Sequence, residues 1–120
     1  MKKLLRIVVL SLLWCNISSA EVNSDLYLEH RDSKSKEIVN FFDSHLSGMA
    51  SAFTYANAQL KVSKQDLLYC QPGQLSLTID NIKNFIDDQI EENKKLNVYN
   101  GEEPITLLLL TRLKTVFPCK

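Results

Sequence analysis

Apolar residues recur every three or four positions along three stretches of the chain, and this spacing predicts α-helices. The stretches cover roughly residues 34–60, 76–96 and 102–116. β-branched residues are frequent in the second stretch, yet the 3.6-residue period favours a helix over a strand. The segment 21–32 is polar apart from an apolar cluster at 26–28, and we interpret it as a lead-in to the first helix. The pattern predicts an all-α fold.

Capping and turn residues place the boundaries of the first two helices. Ser33 is the expected N-cap of the first helix, and Ser76 or Thr78 that of the second. Pro72-Gly73 forms the turn between them. Gly48 lies in a patch of small residues in the middle of the first helix, and we expect it to mark a point where another helix crosses closely.

The connection to the last helix is residues 97–104. Asn100-Gly101 is typical of a hairpin turn, but no alternating strands flank it, so an inter-helix loop is expected. Glu102, Glu103 and Pro104 suit the first turn of a helix, where carboxylates meet the positive end and proline lacks only an unused N–H. The whole chain is therefore predicted to be a small bundle of about four helices.

Composition limits the function classes. The chain has 120 residues, 23% charged, with a formal net charge of +0. This length allows one domain, and the absence of a basic surplus argues against nucleic-acid binding. Three prolines and three glycines also argue against a disordered or fibrous chain.

The first twenty residues have the features of a secretory signal peptide. A basic start is followed by an apolar run and then by small polar residues ending at Ala20. The apolar run is too short to span a bilayer comfortably, so cleavage after Ala20 is expected rather than a membrane anchor. The mature domain, residues 21–120, would carry 11 basic and 14 acidic residues, a net charge of −3. Cys15 would be removed with the signal.

Two cysteines then remain, Cys70 and Cys119. In an oxidising compartment such a pair is expected to form one intramolecular disulfide. Two free thiols or an intermolecular bridge are the alternatives, because spacing alone does not fix pairing. If the bridge forms, it would tie the last helix to the turn before the preceding one, and we expect it to hold the loop between those helices rigid.

No catalytic or metal-binding pattern is found. His45 lies on the apolar side of the first helix and His30 in the polar lead-in, and a lone histidine makes no metal site. Glycine-rich phosphate loops, G-x-S-x-G and C-x-x-C are all absent from the sequence. The acidic cluster on the second helix is interpreted as a solvated face; its members are Asp87, Asp88, Glu91 and Glu92. We therefore expect no enzyme activity, no cofactor and no metal.

Binding is the remaining class of function. The connection presents Tyr99, Asn100, Gly101, Glu102 and Glu103, which could dock on another protein. Tyrosine supplies contact area at low entropic cost, and carboxylates can meet a basic groove. A plain connection between helices is the simpler interpretation of the same residues.

Three segments resemble a known family. "SGMASAFTYANAQ", "YCQPGQLSLTIDNIKNFIDDQ" and "PITLLLLTRLKTVFPCK" resemble, in that order, the Rap/Tai family of type VI secretion immunity proteins. The likeness covers roughly residues 41–120 and is closest to the immunity proteins of the fourth amidase class. The matching positions are Gly48, Cys70, Pro72, Thr78, Phe117, Pro118 and Cys119.

The resemblance implies a function. Family members are periplasmic, all-helical homodimers that inhibit a cognate peptidoglycan amidase by placing a loop or helix end in its active-site groove. Carried over to this chain, the inserted element would be the loop 99–103, with Asp87, Asp88 and Glu91 as its rim. The partner would be a protein, with no nucleic acid and no membrane contact after signal cleavage. A periplasmic acid-stress chaperone is the alternative, since small helical two-cysteine domains also serve that role.

Overall fold

Four helices make up the part of the chain that the computed structural model describes, residues 21–73 and 76–120. They are α1 (Ser24–His30), α2 (Lys36–Val62), α3 (Ile79–Lys95) and α4 (Ile105–Val116). Within these residues no strand is formed, and the prediction of a small all-α bundle is confirmed. The expected signal peptide, including Cys15, lies outside the described residues.

Helix α1 lies within residues 21–32, which the sequence pattern does not predict to be helical. Its N-cap is Asn23, whose side-chain oxygen accepts the N–H of Leu26 at 2.9 Å. Tyr27 and Ser24 are fully buried. The interpretation as a mere lead-in is wrong, because one buried tyrosine and a good cap stabilise a short helix that has no apolar stripe.

Helix α2 is the longest element and packs through one side only. Its buried residues are Phe42, Leu46, Met49 and Ala50. It begins after Ser35, two residues later than the N-cap expected at Ser33. At Gly48 an added Cβ would have no neighbour within 4 Å, so none of the other three described helices crosses there, and the expected crossing point is not found among them.

Helices α3 and α4 form a hairpin that supplies half of the buried apolar residues in the described part of the chain. The hydroxyl of Thr78 accepts the N–H of Asn81 at 3.2 Å, which confirms one of the two expected N-caps. Pro104 is the N-cap of α4 rather than a residue of its first turn, so Glu102 and Glu103 precede the helix. Among residues 21–73 and 76–120, fourteen apolar residues are buried: Val22, Tyr27, Phe42, Leu46, Met49, Ala50, Tyr69, Ile82, Ile86, Ile90, Ile105, Leu108, Leu109 and Leu113.

The expected disulfide joins Cys70 and Cys119, with Cα atoms 5.0 Å apart. The N–H of Cys70 also donates to the carbonyl of Phe117 at 2.8 Å, which fixes the tail beside the connection that leaves α2. The bridge closes a separation of 49 residues, for which the chain-entropy model gives a stabilisation of about 4 kcal/mol. It lies at the open end of the α3–α4 hairpin, and the loop joining the two helices lies at the other end.

Candidate binding surface

The loop between α3 and α4, residues 96–104, contains all five predicted contact residues from Tyr99 to Glu103. Asn97 and Gly101 adopt positive φ values of 56° and 84°, which turn the chain sharply at two points. We call this segment the α3–α4 loop. Its shape is set by hydrogen bonds within the loop and by contacts with the N-terminal segment.

Glu103 holds the loop together from inside. Its carboxylate accepts the N–H groups of Asn100 and Gly101, each at 3.0 Å, and the hydroxyl of Ser24 at 2.9 Å. Partial burial acts to raise the pKa of Glu103, but these hydrogen bonds outweigh it and hold the pKa below its ordinary value. The carboxylate is therefore used within the molecule rather than presented to a partner.

The start of α1 fixes the other side of the loop. Tyr99 donates its hydroxyl to the Asp25 carboxylate at 2.6 Å, and the N–H of Asp25 donates to the carbonyl of Gly101 at 3.0 Å. Burial, and then the hydrogen bond to Asp25, raise the pKa of Tyr99. A Cβ at Gly101 would collide with the Asp25 carboxylate. Glycine is needed here both for its positive φ and for this close approach.

Residues just before α1 extend the same contact. The N–H of Ile105 donates to the carbonyl of Val22 at 3.0 Å, and Asn23 and Pro104 form an isolated antiparallel bridge. The N–H of Ser24 donates to the carbonyl of Glu103 at 2.9 Å. The loop is thus paired with residues 22–25, which are far away in the sequence. No local sequence pattern predicts this contact.

The acidic residues of α3 have separate roles. Asp87 is half-buried, paired with Arg31 at 2.6 Å and accepting the hydroxyl of Tyr27 at 3.0 Å. Burial raises the pKa of Asp87, although the hydrogen bond from Tyr27 and the charge of Arg31 act against this. The interpretation of a fully solvated face is wrong for Asp87, because the side chain ties α1 to α3.

The two other predicted rim residues lie nearer to solvent. Asp88 is exposed and pairs with Arg112 at 3.4 Å, and Glu91 is exposed. A surface pair of this kind contributes little stability, so Asp88 and Glu91 are the members of the rim that are accessible to a partner. Their place in a contact stays a prediction.

Exposed apolar side chains lie in the first part of the α3–α4 loop and just after it, and the sequence analysis did not identify them as contact residues. Leu96 and Val98 are 62% and 60% exposed, and Leu107 in the first turn of α4 is 56% exposed. The Lys94 ammonium lies 4.9 Å from the centre of the Tyr99 ring. The sequence could have identified them, because Leu96 and Val98 lie outside the apolar repeats of the two flanking helices.

Glu102 is the carboxylate of the loop that remains available. Its side chain is exposed, and among the described residues no donor or cation contacts it. Its backbone N–H donates to the Asn100 side chain at 2.8 Å, which fixes the backbone from which it projects. The loop therefore presents one free carboxylate on a fixed backbone, with apolar side chains beside it.

The described residues offer no group of three or more side chains suited to a metal ion, and none of their helices is long and apolar enough to cross a membrane. Comparison with protein-family models, curated proteins and solved structures finds no match to this chain.

Proposed function

We propose that this protein is a periplasmic immunity protein that binds a type VI secretion peptidoglycan amidase and blocks its active-site groove. The observation that carries the proposal is the α3–α4 loop, which is held in one shape by Glu103, Ser24 and Asp25 while Glu102 projects into solvent. The resemblance to the Rap/Tai family supplies the class of partner. The implied homodimer is part of the same proposal.

A preformed loop suits an inhibitor. Ordering a flexible loop on binding costs free energy, and a loop already fixed by its own hydrogen bonds avoids most of that cost. Leu96 and Val98 supply the apolar area that typically lies at the centre of a contact. Glu102 supplies a charge that is complementary to the imidazolium and backbone donors of a cysteine–histidine amidase groove.

The proposed compartment agrees with the covalent structure. The Cys70–Cys119 bridge is compatible with an oxidising compartment, where disulfides persist. The signal-like sequence that ends at Ala20 points the same way. Among secreted locations the periplasm is the one in which a cell-wall amidase would have to be neutralised.

The experiment is an inhibition assay with candidate type VI secretion amidases, beginning with any that is encoded beside this protein's gene. The parent protein should stop cell-wall hydrolysis at a stoichiometric ratio, and Glu102→Arg should weaken inhibition by roughly 10- to 100-fold through charge reversal at the centre of the contact. Asp66→Arg is the matched control, because Asp66 is an exposed acid outside the loop. Full hydrolysis in the presence of excess parent protein would contradict the immunity function. Equal inhibition by both variants would place the contact elsewhere.

An acid-stress chaperone remains a second candidate, favoured by the large apolar side chains exposed along α2. Phe41, Tyr55 and Val62 are 57%, 74% and 78% exposed. A chaperone should suppress aggregation of unrelated client proteins at low pH, whereas an inhibitor should bind one enzyme tightly at neutral pH. Aggregation assays at pH 3 and pH 7 with an unrelated client separate the two functions.

A further inference from the structure

The outer side of α2 carries large apolar residues at a regular spacing. Phe41, Tyr55 and Val62 are the exposed ones, and Gly48 occupies the remaining position of the same seven-residue series. Seven residues make almost two helical turns, so all four positions fall on one side of the helix. We call these four positions the α2 stripe. Within the described residues nothing covers it.

The stripe also lies in an uncharged part of the helix. Residues 44–60 contain no Asp, Glu, Lys or Arg, although many of their side chains are exposed. The solvent-facing side of a helix normally carries charged residues. Helix α3 follows that rule, with exposed acids and lysines from Asp88 to Lys95. The outer side of α2 thus carries small polar and apolar side chains where charged ones are usual.

We propose that the α2 stripe is the interface with a second copy of this chain, with the two α2 helices packed antiparallel about a two-fold axis between Ser51 and Ala52. In this register Gly48 faces Tyr55 of the second copy, and Phe41 faces its Val62. The residue with no side chain thus receives the largest one, and symmetry repeats the match. A two-fold interface requires a surface that is complementary to itself, and this series of residues meets that requirement.

The two ends of the stripe are complementary as well. At the N-terminal end an apolar pocket of about 320 Å³ is lined by Leu26, Ile38 and Phe41, and it is the place where Val62 of the second copy would enter. Glu37 lines the same pocket. Lys61 and Lys64 flank Val62, so the antiparallel register brings cations of one copy near Glu37 of the other. Antiparallel helices also bring opposite dipole ends together.

This interface rests on the homodimer that the proposed function implies, but its test needs no amidase and is therefore separate from that of the immunity function. The molar mass of the protein, expressed from its full-length coding sequence and purified, is measured by sedimentation equilibrium over about 1–500 μM. The parent should form a dimer. Tyr55→Glu should raise the dimer dissociation constant by about 100-fold or more, because two unpaired carboxylates would be buried. Asn84→Glu, an exposed site on α3, is the control and should leave it unchanged.

Gly48→Leu separates association from folding. The position is helical and has open space around it, so a leucine should raise the urea midpoint of the single chain. In the proposed register the same leucine would collide with Tyr55 of the second copy and weaken the dimer. A variant that is more resistant to urea yet more dissociated supports the interface. A Gly48→Leu protein that dimerises like the parent would overturn it.

The register has its own readout. Ala52→Cys lies beside the proposed axis and should be joined to its symmetry mate by a short bismaleimide, whereas Ser44→Cys should not. A parent protein that stays monomeric at 500 μM overturns the proposal. So does a dimer that Tyr55→Glu leaves intact, since the interface would then be another surface. Efficient crosslinking through Ser44→Cys would exclude the proposed register, because that register keeps the two copies of this position far apart.

Discussion

Replacing Gly101 by alanine tests whether the α3–α4 loop is held as described. Two costs follow from the structure. Alanine at a φ of 84° costs about 1–2 kcal/mol relative to glycine. Its Cβ would also displace the Asp25 carboxylate and so break the hydrogen bond from Tyr99. A bond to a charged group contributes about 1.5–3 kcal/mol, and the exposure of Asp25 places it at the lower end of that range.

We therefore expect Gly101→Ala to lower the free energy of unfolding by roughly 2–4 kcal/mol, a large share of the typical 5–15 kcal/mol. The assay is urea denaturation followed by circular dichroism at 222 nm. Gly73→Ala is the matched control, because Gly73 has open space around it and no positive φ, and it should change stability by less than about 0.5 kcal/mol.

Measuring Gly101→Ala in an Asp25→Ala protein separates the backbone cost from the cost of the collision with Asp25. In an Asp25→Ala protein the collision is absent, so Gly101→Ala should cost only the backbone term of about 1–2 kcal/mol. The reasoning is refuted if Gly101→Ala is no more destabilising than Gly73→Ala. Equal costs of Gly101→Ala in both backgrounds would show that the contact with Asp25 contributes nothing.

Three other predictions follow from the same contacts. The folded-state pKa of Glu103 is lowered, so Glu103 contributes stability above the unfolded pKa of about 4.3. This contribution is lost as the pH falls through the folded-state pKa. Glu103→Gln should therefore remove that part of the acid sensitivity in urea titrations from pH 7 to pH 3. Cys119→Ser should lower the free energy of unfolding by about 4 kcal/mol in the same denaturation assay. In the proposed inhibition assay, at equal folded fraction, it should act like the parent protein, because the bridge and the loop lie at opposite ends of the hairpin. Tyr27→Phe should cost about 1–2 kcal/mol by leaving the Asp87 carboxylate with one partner fewer, and a cost below about 0.5 kcal/mol, which is typical of a surface substitution, would contradict this role.

The elements that the sequence predicts well are those with strong local signals. Thr78 is the N-cap of α3 because its hydroxyl meets an N–H three residues later, a relation visible in the sequence itself. The period of apolar residues likewise places α2 and α4 to within a few residues. The expected pairing of Cys70 with Cys119 is confirmed, although the cysteine count alone left free thiols and an intermolecular bridge open.

The features that sequence reasoning missed depend on contacts between distant segments. Helix α1 owes its place to the burial of Tyr27 and to the hydrogen bond between Tyr27 and Asp87, which a polar sequence does not reveal. The sequence predicts that Glu103 lies in the first turn of α4. In the structure its carboxylate instead accepts a hydrogen bond from Ser24, which is 79 residues earlier in the chain. The sequence analysis expected the disulfide to hold the α3–α4 loop rigid. Ser24 and Asp25 are better placed to fix the loop, because they form hydrogen bonds with it directly.

The disulfide has a consequence for proteolysis. Every peptide bond between Cys70 and Cys119 belongs to a covalent ring that contains α3, the α3–α4 loop and α4. A protease that cuts once where α3 meets the loop, for example between Lys95 and Leu96, opens this ring but releases no fragment. Such a nicked protein should migrate as one chain on a non-reducing gel and as two pieces after reduction. The two core helices therefore stay joined after a single cut in the loop between them.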